Sequence, residues 1–287
     1  MNKGIIIKGI SGKYLVYDGE NYYECAARGI FRKNKIKPLP GDNVEFCENV
    51  IEKIDKRKNE FVRPAIANVD QMMFFISVRS PEPDMMLLDK MIITAFFKKV
   101  DFVLCVNKND YEVKDFSDNI KNTYENIGVK VILASALQGT GTEEIYSLLE
   151  DKITVFAGQS GAGKSTMVNR IFENEVMQTG DVSRKTERGR HTTRHSELFL
   201  FNNGFIADTP GFSSYELPDL TAEDLRSVYP EFTRYSGCCK FKECTHINEP
   251  ECAVKEALED GNIDRDRYDR YNRFLEEVIY RKNNKYK

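Results

Sequence analysis

The segment Gly158-Gln159-Ser160-Gly161-Ala162-Gly163-Lys164-Ser165 decides the fold, because it matches the phosphate-binding pattern G-x-x-x-x-G-K-S in full. An apolar strand is predicted at 153–157 and a helix at 163–172. Backbone N–H groups of such a loop converge on phosphate oxygens at the N-terminus of the helix. We expect Lys164 to reach the β- and γ-phosphates and Ser165 to bind Mg²⁺, with Thr166 in the same site.

A second segment, Asn107-Lys108-Asn109-Asp110, indicates which base is bound. The Asp110 carboxylate can accept hydrogen bonds from both N1 and the amino group of guanine. Adenine offers no such pair of donors, so the carboxylate would be left unpaired. Lys108 is expected to cover the base plane and Asn107 to tie the loop together. Ser135-Ala136, after the next predicted strand, fits a backbone contact to guanine O6.

The order of these two segments is reversed. In an ordinary small GTPase the Asn-Lys-x-Asp segment follows the phosphate loop, whereas here it precedes it. The sequence therefore predicts a circularly permuted GTPase domain that binds GTP and GDP with Mg²⁺.

A third segment, Asp208-Thr209-Pro210-Gly211, fits the D-x-x-G switch of GTPases. Asp208 is expected to hold the Mg²⁺ shell, and the Gly211 N–H to meet the γ-phosphate. A threonine hydroxyl from Thr192 or Thr193 would complete the coordination of Mg²⁺. We favour Thr193, which lies nearer the following strand.

The residue after the switch glycine is Phe212, where a Ras-like enzyme has a glutamine that orients water. An apolar ring cannot orient water, so hydrolysis is slow or another group serves. The nearby candidate is His191, which we predict to be the catalytic residue. The alternative is that His191 only contacts phosphate or RNA.

Four of the seven cysteines lie close together near the C-terminus. The spacing Cys239-x4-Cys244-x-His246-x5-Cys252 predicts tetrahedral Zn²⁺ bound by three thiolates and one imidazole. Because four protein ligands leave no open position, the site should be structural. The adjacent Cys238 is a spare thiol and leaves the register open. The remaining thiols are predicted to lie in the core: Cys25, Cys47 and Cys105.

The pattern of elements predicts three domains. Short strands with turns at 1–63, among them 4–8, 14–17, 22–26 and 43–51, indicate a small closed β-barrel. An OB-type Greek key is favoured, with an SH3-like barrel as the alternative. Apolar strands alternate with amphipathic helices over 64–219, which predicts a doubly wound, mostly parallel sheet. Residues 220–287 are predicted to form a zinc-binding helical domain, where Tyr268, Tyr271, Leu275 and Val278 make a packing stripe.

The net charge of −3 over 287 residues argues against a general nucleic-acid binder, but the charge is uneven. Residues 1–67 carry 13 Lys and Arg against 9 Asp and Glu, and residues 265–287 carry 8 against 4. These basic excesses around a GTPase core favour a polyanionic partner. The sequence contains no membrane span or secretory signal, so we expect a cytoplasmic protein.

Together these motifs resemble the ribosome small-subunit-dependent GTPase A family of circularly permuted bacterial GTPases. The resemblance extends to Pro38-Leu39-Pro40-Gly41-Asp42 and to Arg63-Pro64-x-x-Ala67-Asn68-Val69-Asp70-Gln71. It implies late maturation of the small ribosomal subunit, with rRNA as partner, subunit-stimulated hydrolysis that gates release, and a monomeric chain. It also implies that the His of the Gly-x-His-Thr-Thr segment, here His191, is the hydrolysis residue.

Two other functions stay open at this point. One is an RNA-binding chaperone whose nucleotide site is regulatory, and the other is a P-loop kinase. A kinase usually needs an adenine reader, whereas Asp110 is suited to guanine.

Overall fold

A computed structural model describes residues 1–110, 114–179, 196–208 and 216–284, with the side chains of 173–179 and 208 left aside. Within that part of the chain, none of the helices combines the length and apolarity that a membrane crossing needs.

The N-terminal region is a closed five-stranded barrel with the order β1-β2-β3-β5-β4. A short helix, α1, lies between β3 and β4, and β1 closes the barrel against β4. This order is that of an OB fold, so the predicted OB-type barrel is confirmed. The elements are β1 Asn2–Ile10, β2 Lys13–Tyr17, β3 Tyr22–Ala27, α1 Gly29–Lys33, β4 Asn43–Cys47 and β5 Val50–Ile54.

The single strand predicted at 43–51 is wrong, because the chain reverses inside it. Glu48 and Asn49 both have positive φ, 47° and 61°, and they join β4 to β5 as a two-residue hairpin. Such a turn matches the right-handed twist of the strands that it connects. Glu48 is not a typical residue for this turn, so the sequence did not indicate that a turn lies here.

The barrel also corrects one prediction about the thiols. Cys25 and Cys105 are buried, as predicted, but Cys47 is exposed. Successive side chains of a strand point to opposite faces, and Phe46 takes the inward position at the end of β4.

A six-stranded sheet with helices on both faces follows the barrel, as the alternating pattern predicted. Its order is β10-β9-β8-β11-β13-β12, and all neighbours are parallel except β12 against β13. All seven residues of β8 are buried, as is typical of a strand covered on both faces. The elements are β8 Gln71–Ser77, α2 Met85–Lys98, β9 Asp101–Asn107, α3 Lys114–Glu125, β10 Lys130–Leu133, α4 Thr142–Leu148, β11 Ile153–Gly158, α5 Lys164–Thr179, β12 Leu198–Phe201 and β13 Gly204–Asp208.

The strand order shows the permutation directly. If the chain is read from β11 through β13 and then from β8 to β10, the spatial order becomes 2-3-1-4-5-6. The phosphate-loop strand then comes first, as in an ordinary small GTPase. The cut therefore leaves the sheet intact and changes only which strands come first along the chain.

A joint of buried polar groups connects the barrel to the sheet. Asp42 is fully buried and accepts two hydrogen bonds from the Arg57 guanidinium, at 2.7 and 2.8 Å. Gly41 has a φ of 89°, and a Cβ there would lie 2.1 Å from the carbonyl oxygen of Ala67. Asn68 donates to the Gly41 carbonyl at 2.8 Å. The Pro-Leu-Pro-Gly-Asp motif thus has a structural role, because it packs against the hairpin formed by β6 Glu60–Val62 and β7 Ala65–Ala67.

The C-terminal region is helical and packs on the GTPase sheet through α2. Its core includes Ile93 of α2 together with apolar residues of all four C-terminal helices. The predicted packing stripe of α9 is confirmed, since Tyr268, Tyr271, Leu275 and Val278 are all buried. The helices are α6 Ala222–Ser227, α7 Pro230–Ser236, α8 Ala253–Glu259 and α9 Arg265–Asn284.

Part of the basic excess of α9 does not lie on the surface. The side chains of Arg267 and Arg270 are 2% and 13% exposed and form ion pairs with Asp89 of α2. These two charges are therefore neutralised within the fold, and the polyanion-binding charge of this region is smaller than the sequence count.

Candidate nucleotide site and metal centre

Glycines shape the backbone of the phosphate loop between β11 and α5. Gly158, Gly161 and Gly163 have φ values of 154°, 81° and 86°, a region that side chains disfavour. A Cβ on Gly158 would also lie 2.6 Å from the carbonyl oxygen of Phe75 on the neighbouring strand. The pattern G-x-x-x-x-G-K-S thus places glycine where the backbone turns and approaches β8.

Asn107 joins the two candidate nucleotide loops, whereas the sequence predicted only that it ties its own loop together. It ends β9, is buried, and donates from Nδ2 to the carbonyl oxygen of Ala162 at 2.8 Å. Its Oδ1 accepts from the N–H of Ala136 at 3.0 Å. One amide side chain therefore fixes the phosphate loop and the Ser135-Ala136 loop relative to each other.

Asp110 is held by a serine of the second loop. Ser135 donates from its hydroxyl to Oδ1 of Asp110 at 2.6 Å, and Ser135 is buried. Asn109 accepts from the Ser117 hydroxyl at 2.6 Å, which ties the segment to the first turns of α3. No sequence pattern indicated Ser117, because it lies eight residues from Asn109, more than one helical turn.

A turn between β8 and α2, residues 79–84, lies against both loops. Gln159 donates to the Glu82 carbonyl at 2.8 Å and accepts from the Asp84 N–H at 3.0 Å. Lys108, with a φ of 63°, donates from Nζ to the Ser80 carbonyl. Asp84 also caps α2 by accepting from the Leu87 N–H at 2.9 Å. The sequence did not reveal this turn as part of the site.

Asp208 ends β13, and its backbone lies at the same edge of the sheet as the phosphate loop. It is paired in register with Phe156 of β11, two residues before Gly158. The other predicted residues of the switch region, His191, Thr192, Thr193 and Gly211, lie outside the described residues. Arg170 of α5, which the sequence analysis missed, donates to the Leu137 carbonyl at 3.2 Å beside the candidate base site.

The four predicted zinc ligands come together in the C-terminal domain. The ligand atoms of Cys239, Cys244, His246 and Cys252 all lie within 4.8 Å of one another. His246 Nδ1 is 3.4 Å from the sulfur of Cys252 and 3.7 Å from that of Cys239. These two N···S separations match the N···S edges of a tetrahedron whose Zn–S and Zn–N bonds are about 2.3 and 2.0 Å.

The ambiguity between Cys238 and Cys239 is resolved by position. Cys238 is exposed and outside the cluster, whereas Cys239 is partly buried within it. Burial and the nearby Arg226 charge lower the pKa of His246 to about 4, which keeps the imidazole neutral and able to bind metal. The donor set and its spacing therefore fit a closed Zn²⁺ site.

Backbone contacts around the ligands fix their geometry. Tyr268 and Tyr271 of α9 donate to the carbonyls of His246 and Thr245, at 2.5 and 2.9 Å. Partial burial raises the pKa of Glu249, but hydrogen bonds from Thr245 and Ile247 outweigh it and lower that pKa to about 2. The loop that carries His246 is thus held by hydrogen bonds from α9 and by hydrogen bonds to the ionised Glu249 carboxylate.

The fold and the arrangement of loops define a class of protein. A phosphate loop and an Asn-Lys-x-Asp segment meet at the carboxyl edge of a parallel sheet, in permuted chain order and between a barrel and a Cys₃His domain. This is the architecture of a circularly permuted P-loop GTPase.

Comparison with known proteins gives the family. The model of the RsgA GTPase family matches residues 54–218, and that of the RsgA N-terminal domain matches residues 3–52. The chain belongs to the RsgA GTPase family. It is 48% identical to the small ribosomal subunit biogenesis GTPase RsgA of Ruminiclostridium cellulolyticum, over 94% of this chain and 92% of the relative.

Two solved structures share the whole architecture. YjeQ from Thermotoga maritima superposes with a TM-score of 0.84 at 33% identity, over 97% of this chain and 98% of that one. YloQ, described as a circularly permuted GTPase, gives 0.81 at 38% identity, over 98% and 96%.

Proposed function

We propose that this protein hydrolyses GTP while bound to the small ribosomal subunit, and that it acts in the late maturation of that subunit. Its relatives are named for small-subunit biogenesis, and this chain is similar to them over nearly their full length. The observation that carries the proposal for this chain is the link made by Asn107, which brings a phosphate loop and a guanine-type loop into one site.

The residues of this site have distinct proposed roles. The backbone of 158–163, with Lys164, would bind the phosphates. Ser165 and Thr193 would ligate Mg²⁺, and Asp208 would hold the Mg²⁺ shell. Asp110, oriented by Ser135, accepts from guanine, while Lys108 covers the base. Bound Mg²⁺ would neutralise charge on the phosphate oxygens. The remaining contacts with the bound nucleotide and Mg²⁺ are assigned to Gln159, Ser160, Thr166, Ala136, Thr192 and Gly211.

His191 is the proposed residue that orients the attacking water. The motivation is Phe212, which stands where a water-orienting glutamine is found in Ras-like enzymes. Such a residue acts in the transition state more than in binding. Its loss should therefore lower turnover and leave the affinity for GTP unchanged.

The Cys₃His group is proposed to hold one structural Zn²⁺. It has no open coordination position, and its ligands lie in the hydrophobic core of the C-terminal domain. The ion would stabilise that domain and take no part in hydrolysis.

Three functional units follow for the monomer: a barrel at 1–63, a GTPase domain at 64–219 and a zinc-binding domain at 220–287. The barrel and the zinc-binding domain are proposed to contact rRNA from either side of the nucleotide site. The proposed location is the cytoplasm, where ribosomal subunits are assembled.

The decisive experiment measures GTP turnover with and without purified small subunits. We expect slow turnover alone and a marked increase on addition of subunits. Subunit binding without stimulation would favour an RNA chaperone with a regulatory nucleotide site. Transfer of phosphate to a metabolite would favour a kinase.

A further inference from the structure

A buried cluster of four charges attaches the C-terminal domain to the GTPase domain. Asp89 of α2 accepts from Arg267 Nη1 and from Arg270 Nε, each at 2.5 Å. Arg267 also donates from Nε to Glu231 of α7 at 2.7 Å. Asp89 is 0%, Arg267 2% and Glu231 4% exposed. We call these four residues the charge cluster.

The geometry of the charge cluster leaves it little freedom. Two guanidinium groups and two carboxylates sum to zero charge, so burial is tolerated only while all four stay paired. The Arg267 guanidinium lies over the rings of Tyr124 and Tyr229, at 5.3 and 5.2 Å from their centroids. Tyr124 of α3 donates to Oδ1 of Asp89 at 3.0 Å. Helix α3, as well as α2, therefore contacts the charge cluster.

Both helices that hold the C-terminal domain begin at the candidate nucleotide loops. The turn that leads into α2 is tied to the phosphate loop by the Gln159 amide, through Glu82 and Asp84. The first turns of α3 are tied to Asn109 by Ser117. Each helix therefore contacts a nucleotide loop at one end and reaches the charge cluster along its length.

We propose that Asp89 is a positioning residue that couples the C-terminal domain to the nucleotide loops through α2 and α3. This inference rests on the proposed function, in which the C-terminal domain contacts the small subunit. Because a helix moves nearly as a unit, a displacement of the domain on the subunit is passed to both loops. The chain connection at 211–220 is then not the only route between the nucleotide site and the zinc-binding domain.

The first test compares Asp89→Asn with Lys90→Gln. Lys90 is the next residue of α2 and pairs with Glu277 of α9 at 3.1 Å, but this pair is partly exposed. We expect D89N to keep GTP affinity and unstimulated turnover, and to lose about fivefold or more of the subunit stimulation, the low end of usual couplings. K90Q should keep full stimulation. Full stimulation in a folded D89N protein would overturn the proposal.

A double variant covers the case in which D89N does not fold. In D89N/R270Q the buried charge again sums to zero, with Arg267 and Glu231 still paired, so the domain should fold. Stimulation should stay low, because α2 has lost the two buried ion pairs of Asp89 with α9. Full stimulation in this variant would equally overturn the proposal.

A second readout does not depend on ribosomal subunits. Coupling of binding free energies is reciprocal, so bound nucleotide should raise the affinity for zinc in the unmutated protein, measured at equilibrium in competition with a chromogenic chelator. The effect of nucleotide should vanish in D89N and persist in K90Q. If nucleotide leaves the zinc affinity of the unmutated protein unchanged, the proposal fails. If nucleotide does raise the zinc affinity but subunits do not stimulate turnover, only the proposed function is refuted.

Discussion

Gly163 and Asn107 occupy positions that depend on each other, although 55 residues separate the Asn107 amide from the Ala162 carbonyl that it contacts. A Cβ on Gly163 would lie 2.1 Å from Nδ2 of Asn107. The glycine therefore leaves the space through which the amide reaches the loop. The phosphate loop is shaped as much by the guanine-type segment as by its own sequence.

Asn107→Ala should weaken the binding of GTP and of GDP to the same extent. It removes both hydrogen bonds of the amide and leaves a buried carbonyl and a buried N–H unpaired, at a cost of about 1–3 kcal/mol. This corresponds to a loss of roughly 5- to 150-fold in affinity, measurable by titration with a fluorescent nucleotide.

The control for this variant is Asn122→Ala, an exposed asparagine of α3. It should bind both nucleotides as the unmutated protein does. Unchanged affinity in Asn107→Ala would show that the loops hold their positions without the amide.

Asp110→Asn should shift preference from GTP towards xanthosine triphosphate. An amide donates where the carboxylate accepts, and xanthine carries a carbonyl in place of the guanine amino group. Competition against labelled GTP measures the change, with the exposed Asp115→Asn of α3 as a control. ATP competing as well as GTP in the unmutated protein would contradict guanine specificity.

His191→Ala should bind GTP normally and lose subunit-stimulated turnover by about 10²-fold or more, as for a residue that acts on the attacking water. Single-turnover measurements with saturating subunits separate this from a binding defect. His195→Ala, four residues away, serves as the matched control. Equal turnover in both variants would assign hydrolysis to another group.

Removal of zinc should unfold the C-terminal domain while the GTPase domain still binds nucleotide, because the GTPase sheet has its own core. The affinity for nucleotide should fall only by the factor with which nucleotide tightens zinc binding. Metal analysis and circular dichroism after chelation test this. Cys252→Ala should lose the metal, whereas Cys238→Ala should retain one ion per chain, since Cys238 lies outside the cluster. Protein purified without chelators that contains no zinc would refute the site.

The sequence predicted the elements whose signal is local. The apolar pattern predicted a strand at 153–157, which the structure has as β11, and the spacing of Cys239, Cys244, His246 and Cys252 predicted a cluster that the structure brings together. It could not give contacts made across the fold. The charge cluster joins Asp89 to Arg267, 178 residues apart, and on the sequence Arg267 counted only as surface charge.

The last prediction concerns the partner: binding to the small subunit should be tightest with a non-hydrolysable GTP analogue and weaker with GDP. The barrel region supplies a net basic excess, 13 Lys and Arg against 9 Asp and Glu in 1–67. Contacts of these side chains with rRNA phosphates release counterions, so affinity should fall steeply with salt. Sedimentation with purified subunits at several salt concentrations measures both effects. Equal retention in the two nucleotide states would mean that the γ-phosphate does not control binding, and affinity independent of salt would remove phosphate contacts as its basis.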